Sequence, residues 1–217
     1  MFSRHGGCDS PITFKQMTVS LLIRGVVALF FAAILTQASG LSWDGYFEIV
    51  ARYLLVDGVI AAFLGMFFLR ESVSTRRERE MVLGVVMFVD AGGRILTGAA
   101  LFYWPGLSSF PVTAAVFIAI MAVCTAAGGI VEAWLTAREE IARHGRTHEA
   151  PQFMAGPVAL AALVSTAFGV AAIASSGSPD RVRLLVTGFI ASSGIVSLAM
   201  GWSSHRQRGR RLLSAAR

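Results

Sequence analysis

Apolar runs of membrane-crossing length recur along the chain, each broken by a few polar positions. They cover about Met17–Ala38, Phe47–Leu69, Met81–Trp104, Phe110–Ala137, Met154–Ser176 and Val182–Ser204. About 20 apolar residues suffice to cross a hydrocarbon core, so each run predicts one spanning helix. The fourth is longer than it needs to be, which fits a tilt or an extension into water. Pro157 falls in the first turn of the fifth, where proline is tolerated. Polar segments flank and separate the runs: an arm over 1–16, a charged loop over 70–80, a second charged loop over about 138–152, a turn over 175–180 and a basic tail over 205–217. The pattern predicts an all-α integral membrane bundle of six transmembrane helices built as three helical hairpins. The transmembrane domain is 17–204, with hairpins at about 17–70, 81–137 and 154–204.

Charges inside these runs are the candidate functional positions. The third run contains Asp90 and Arg94 and stops at Trp104-Pro105-Gly106, an interfacial aromatic followed by a helix terminator. Asp90 and Arg94 are four residues apart and share a helix face, and that face must look into protein because charges facing lipid are costly. Arg24 and Asp57 lie inside the first and second runs and Glu132 inside the fourth, with Glu48 and Arg52 near the start of the second. At about 1.5 Å of rise per residue, Asp57 and Arg94 fall near mid-span, and Arg24, Asp90 and Glu132 fall nearer one face. Two pairings follow: Asp57 with Arg94, and Arg24 with Asp90 or Glu132. An unpaired charge in the core costs about 2.5–3.5 kcal/mol on insertion scales, which makes pairing a requirement while both members stay charged. One reading of this network is a relay or ion path, in which carboxylates in low dielectric take up protons as pH falls. The other is a lock that holds the helices in register. Water-facing placement is a third, and Arg52 and Glu132 can also snorkel to headgroups.

Composition agrees with the membrane reading: 55% of residues are hydrophobic, 15% are charged and the mean hydropathy is +0.65. The net charge of +6 raises the question of nucleic acid. Placement answers it, because fourteen of the 19 Lys and Arg residues fall in the arm, the two charged loops and the tail, against Arg181 and Arg183 on the opposite side. This asymmetry predicts both termini in the cytoplasm, and topology plus attraction to anionic lipid explains the basic excess without nucleic acid. A cleaved signal over the first run fits loosely, but the repeat described next requires that run as a permanent helix. Cys8 and Cys124 lie in different settings and have no CxxC or Cys/His zinc spacing, which predicts two plain thiols. His144 and His148 are four apart beside Glu149, yet Gly145 lies between them and the neighbouring arginines repel a cation. No catalytic triad order, phosphate loop or HExxH occurs, so neither an enzyme nor a cofactor or metal site is expected.

The hairpins carry a repeat. Arg24, Ala32 and Ser39 in the first align with Asp90, Gly98 and Pro105 in the second and with Ala161, Gly169 and Ser176 in the third, at spacings of eight and seven. Asp57-Gly58, Gly128-Gly129 and Ser193-Gly194 follow, with the last interval about five residues longer in the second hairpin. Small residues recur every fourth position at Ala161, Ser165 and Gly169 and at Ser193, Ser197 and Gly201. With almost no internal charge, the fifth and sixth spans are the expected lipid-facing or homo-oligomer surface. Arg24-Gly25 opening an apolar helix, Gly98 seven residues before Pro105, and Leu55-Val-Asp-Gly58 closing a hairpin resemble the short repeat of the HdeD-like acid-resistance membrane proteins. The resemblance covers about Leu21 to Trp202, and the third hairpin departs from it by lacking the arginine, the proline and the aspartate. It implies a bacterial inner-membrane protein linked to survival in acid, and supplies no catalytic residue.

Overall fold

The computed structural model describes residues 11–75, 78–104 and 177–215, together with 167–171 and positions 116, 120, 163 and 174. Four long helices make up this part: α1 (Pro11–Gln37), α2 (Trp43–Thr75), α3 (Glu78–Tyr103) and α4 (Pro179–Ala215). Each contains a stretch long and apolar enough to cross a membrane: Thr18–Gln37, Trp43–Arg70, Gly84–Tyr103 and Pro179–Trp202. These correspond to the first, second, third and sixth predicted spans. The fourth and fifth, the second charged loop, Cys8, Cys124, Glu132, His144 and His148 lie outside the described residues.

Proline opens both α1 and α4, at Pro11 and Pro179, where its missing N–H would have no intrahelical acceptor. A 3-10 turn over Ala38–Gly40 joins α1 to α2. Ser42 caps α2: its Oγ accepts the Gly45 N–H at 3.2 Å, and Asp44 lies in the first turn where the helix dipole favours an anion.

Helix extends into three of the predicted polar segments. The arm expected over 1–16 is helical from Pro11, the tail expected from 205 is helical through Ala215, and α2 and α3 run through most of the expected loop over 70–80, to Thr75 and from Glu78. Arg and Glu are good helix formers, so a helix leaving the membrane continues in water. The charges mark where hydrocarbon ends rather than where the helix ends.

Packing also differs from a simple reading of hairpins as units. The most extensive contacts of α2 are with α3, and those of α1 are with α4, whereas α1 and α2 meet more sparsely. Glycines make both close seams. A Cβ on Gly58 would lie 3.1 Å from the Ala91 carbonyl oxygen and 3.2 Å from Arg94 Cβ, and one on Gly98 would lie 2.9 Å from the Ala51 carbonyl oxygen. Across the other seam, a Cβ on Gly194 would lie 3.1 Å from the Gly25 carbonyl oxygen and 3.1 Å from Ala28 Cβ. Without a hydrophobic drive between helices in lipid, such backbone approach is the main source of helix association.

The two seams are the same seam in the register of the repeat. Arg24 aligns with Asp90, 66 positions on, so Gly25, Ala28 and Leu29 correspond to Ala91, Arg94 and Ile95. Gly58 aligns with Gly194, 136 positions on, and Gly65 with Gly201. Gly58 meets Ala91, Arg94 and Ile95 while Gly194 meets Gly25, Ala28 and Leu29; Gly65 meets Phe88 while Gly201 meets Leu22, its equivalent. In both cases equivalent faces of aligned helices meet, α3 on α2 and α1 on α4.

Neighbouring helices are antiparallel, as pairings such as Gly65 with Gly84 and Phe88, and Gly25 with Gly194 and Leu198, require. The start of α1, the end of α2, the start of α3 and the end of α4 therefore share one face. Towards the opposite face, Ala28, Ala32, Leu35, Tyr46, Phe47, Val50, Val182, Val186 and Ile190 form one buried apolar cluster. The glycine seams predict that Gly98→Ala lowers stability by about 1–3 kcal/mol through overpacking against backbone. Gly92→Ala, where a Cβ would meet nothing within 4 Å among the described residues, should leave stability unchanged or higher. Thermal unfolding of the two variants in detergent checks this contrast.

Candidate functional site: a buried charge quartet

The second and third helices present polar groups to each other at mid-span, and the first joins them. Asp57 on α2 is 2% exposed and Arg94 on α3 is 3% exposed. Asp57 lies between two guanidinium groups. Arg24 reaches it with both arms of its fork, Nε to Oδ1 at 2.8 Å and Nη2 to Oδ2 at 2.9 Å. Arg94 donates from Nη1 to Asp57 Oδ2 and from Nε to Asp90 Oδ2, the latter at 2.9 Å. Arg24 Nη2 also lies 3.7 Å from Asp90 Oδ2. Among the described residues, two cations and two anions thus meet across α1, α2 and α3. Charge-assisted bidentate bonds of this kind are the strong form of arginine–carboxylate contact.

Local sequence explains the geometry. Asp90 and Arg94 are one turn apart on α3, so each orients the other before any other helix arrives. Gly58, next to Asp57, lets α2 approach the backbone of α3 closely enough for the carboxylate to reach Arg94. Arg24 precedes Gly25 on α1, and Asp57 is the partner that its long side chain meets. Depth matches expectation: Asp57 is about 20 Å from either end of its apolar stretch, and Arg24 and Asp90 are about 9 Å in from the face at which α1 and α3 start.

The structure therefore brings together Arg24, Asp57, Asp90 and Arg94. Both expected pairings that fall within the described residues are present, Asp57 with Arg94 and Arg24 with Asp90. The bidentate bond of Arg24 to Asp57 was not among them, and it is the more direct of the two contacts Arg24 makes. Glu132, the other expected member, lies outside the described residues. Arg52 pairs with Glu48 one turn away at an exposed position, apart from the quartet.

A second polar cluster was not legible as such in the sequence. Tyr46 on α2 donates its hydroxyl to the Arg183 carbonyl oxygen at 2.8 Å and shares a 2.8 Å hydrogen bond with the Thr187 hydroxyl, both on α4. The Arg183 guanidinium lies 5.4 Å from the centroids of both the Trp43 and Tyr46 rings, and its Nη2 donates to the Leu41 carbonyl oxygen at 3.1 Å. Ring faces stabilise a cation placed this way. The signal was present in pieces: two aromatics three apart at a helix start, and one of the few arginines on that side of the chain.

Of the small-residue positions assigned to an oligomer face, Gly201 packs on Leu22 within the chain, and Gly169 is buried. Ser193 and Ser197 are half-buried; Ala161 and Ser165 lie outside the described residues. Among the described residues, no three His, Cys, Asp or Glu side chains are grouped so as to hold a metal ion.

Four apolar helices of membrane length and an ion quartet between them define a multi-pass, all-helical integral membrane protein in contact with the lipid bilayer. Searches among family models, curated proteins and solved structures give no match to the chain.

Removing one member of a buried ion set leaves its partner uncompensated, at a cost of about 3–5 kcal/mol. Asp57→Asn, which leaves Asp90 as the one carboxylate of the quartet facing Arg24 and Arg94, should destabilise most. Asp90→Asn should cost less, because Asp57 still faces both guanidinium groups. Unfolding curves of the purified variants give the order, and equal stability of Asp57→Asn and wild type would contradict it.

Proposed function

We propose that this is a non-enzymatic membrane protein of the HdeD-like acid-stress type, residing in a bacterial inner membrane with both termini in the cytoplasm. Its six spans form three hairpins, and its buried charges act as a lock. The observation that carries the lock is the direct contact of Asp57 with Arg24 and Arg94, each hydrogen-bonded to it. A lock needs such contacts, whereas a relay needs side chains spaced along a hydrated route. The equivalence of the α1–α4 and α2–α3 seams supports the hairpin as the repeating unit. The acid-stress assignment rests on the resemblance of Arg24-Gly25, Leu55-Val-Asp-Gly58 and Gly98 with Trp104-Pro105-Gly106 to the family's repeat.

One observation favours a second reading, a proton or small-solute channel. Arg24 and Asp90 occupy equivalent positions of successive repeats, and their side chains are 3.7 Å apart. Equivalent positions that touch lie close to the axis relating the repeats. Any route along that axis would pass between these two groups, so their contact would act as its constriction.

Two measurements test these readings. Bacteria expressing the protein should survive an acid challenge better than cells carrying an empty vector, and equal survival would remove the acid-stress assignment. Liposomes containing the protein should acidify after an acid jump no faster than empty ones. Faster acidification that is lost in a folded Asp90→Asn variant would replace the lock with the channel.

A further inference from the structure

The continuation of α4 beyond its apolar stretch is a surface whose partner its geometry specifies. The helix has 37 residues, about 55 Å, while its apolar stretch ends at Trp202. Trp202 is 58% exposed, a position typical of an aromatic at the membrane interface. The next thirteen residues remain helical to Ala215 and include Arg206, Arg208, Arg210 and Arg211, with no Asp or Glu among them.

Distance along the axis sets the depth of these positions. Arg206, Arg208 and Arg210 are four, six and eight residues beyond Trp202, or about 6, 9 and 12 Å. Each headgroup layer is about 5–8 Å thick, so the arginine positions begin within it and continue just past it. At 3.6 residues per turn, the four positions span about 200° of the helix circumference, forming a collar rather than a stripe. A collar suits a helix that emerges steeply through the headgroups. A helix lying on the surface, or one tracking a nucleic-acid backbone, would concentrate its charge in one stripe.

The neighbouring helix extends the same charge. Gly201 meets Leu22 across the antiparallel seam, and Lys15 is seven residues before Leu22 just as Arg208 is seven after Gly201. The shared register puts Lys15 at the level of Arg208 on the adjoining helix. The geometry points to a binding site for anionic phospholipid headgroups at this end of the α1–α4 pair. Its ligand is the phosphate of lipids such as phosphatidylglycerol, attracted by basic positions that begin within the headgroup layer and continue just past it. The inference needs only the membrane-spanning character of the helices and is independent of the acid-stress assignment and of the lock.

Native mass spectrometry of the full chain, after equilibration with equal amounts of phosphatidylglycerol and phosphatidylcholine, tests it. Wild type should retain phosphatidylglycerol in preference, and Arg206→Gln/Arg208→Gln/Arg210→Gln/Arg211→Gln should lower that preference about tenfold or more. The corresponding four-lysine variant should keep it, since headgroup attraction requires charge rather than a guanidinium fork. No preference in wild type, an unchanged preference in the glutamine variant, or its loss in the lysine variant would overturn the site. So would tight binding of duplex RNA at physiological salt by wild type in phosphatidylcholine nanodiscs, which would assign the collar to nucleic acid. Should the glutamine variant fail to fold, the wild-type and lysine measurements still decide the matter.

Discussion

One carboxylate, Asp57, is shared by two arginines that come from two other helices. Lipid supplies no hydrophobic force to press helices against each other, so close backbone contact and polar ties must do so. Glycine seams zip α2 to α3 and α1 to α4. Between the resulting pairs, α1 and α2 meet more sparsely, and Asp57 spans that junction by binding Arg24 from one pair and Arg94 from the other. Asp90 completes the charge balance and orients Arg94. Near the opposite membrane face, the hydrogen bonds of Tyr46 to α4 and the stacking of Arg183 on Trp43 and Tyr46 form a second tie between the same pairs.

A repeated scaffold carries a charge pattern that is not repeated. Gly58 and Gly194 perform the same packing task against equivalent residues, yet Asp57 precedes one and Ser193 the other. Arg94 corresponds to Ala28, which fits closely under Gly194 with no charge at all. The seam therefore does not need ions to form. Among the described residues, the quartet sits at one junction, on α1, α2 and α3, while the α1–α4 seam packs through glycine alone.

Much of this was legible in the sequence, and the physical reasons separate what was from what was not. Membrane spans were readable because hydrocarbon thickness fixes their length. Asp57 with Arg94 was readable because two mid-span charges of opposite sign have few alternatives. The repeat register was readable from the spacing of Arg24, Ala32 and Ser39 against Asp90, Gly98 and Pro105, and it predicts which residues face Gly194. Helix ends in water were not readable, since Arg70 and Glu78 are as compatible with helix as with loop. Nor was the bidentate reach of Arg24 to Asp57, because the closeness of α1 to α2 at that level depends on how both pack with α3 and α4. The Tyr46–Arg183 cluster joins residues 137 positions apart, a separation that local patterning does not encode.

The central claim is that Asp57 couples α1 to the α2–α3 pair through Arg24. A double-mutant cycle on Arg24→Leu and Asp57→Leu, read as unfolding free energies in mixed micelles, measures that coupling directly. The account predicts a double variant much less destabilised than the sum of the singles, because it retains the neutral Arg94–Asp90 pair. Additivity within about 0.5 kcal/mol would show that the two residues act independently and would contradict the account.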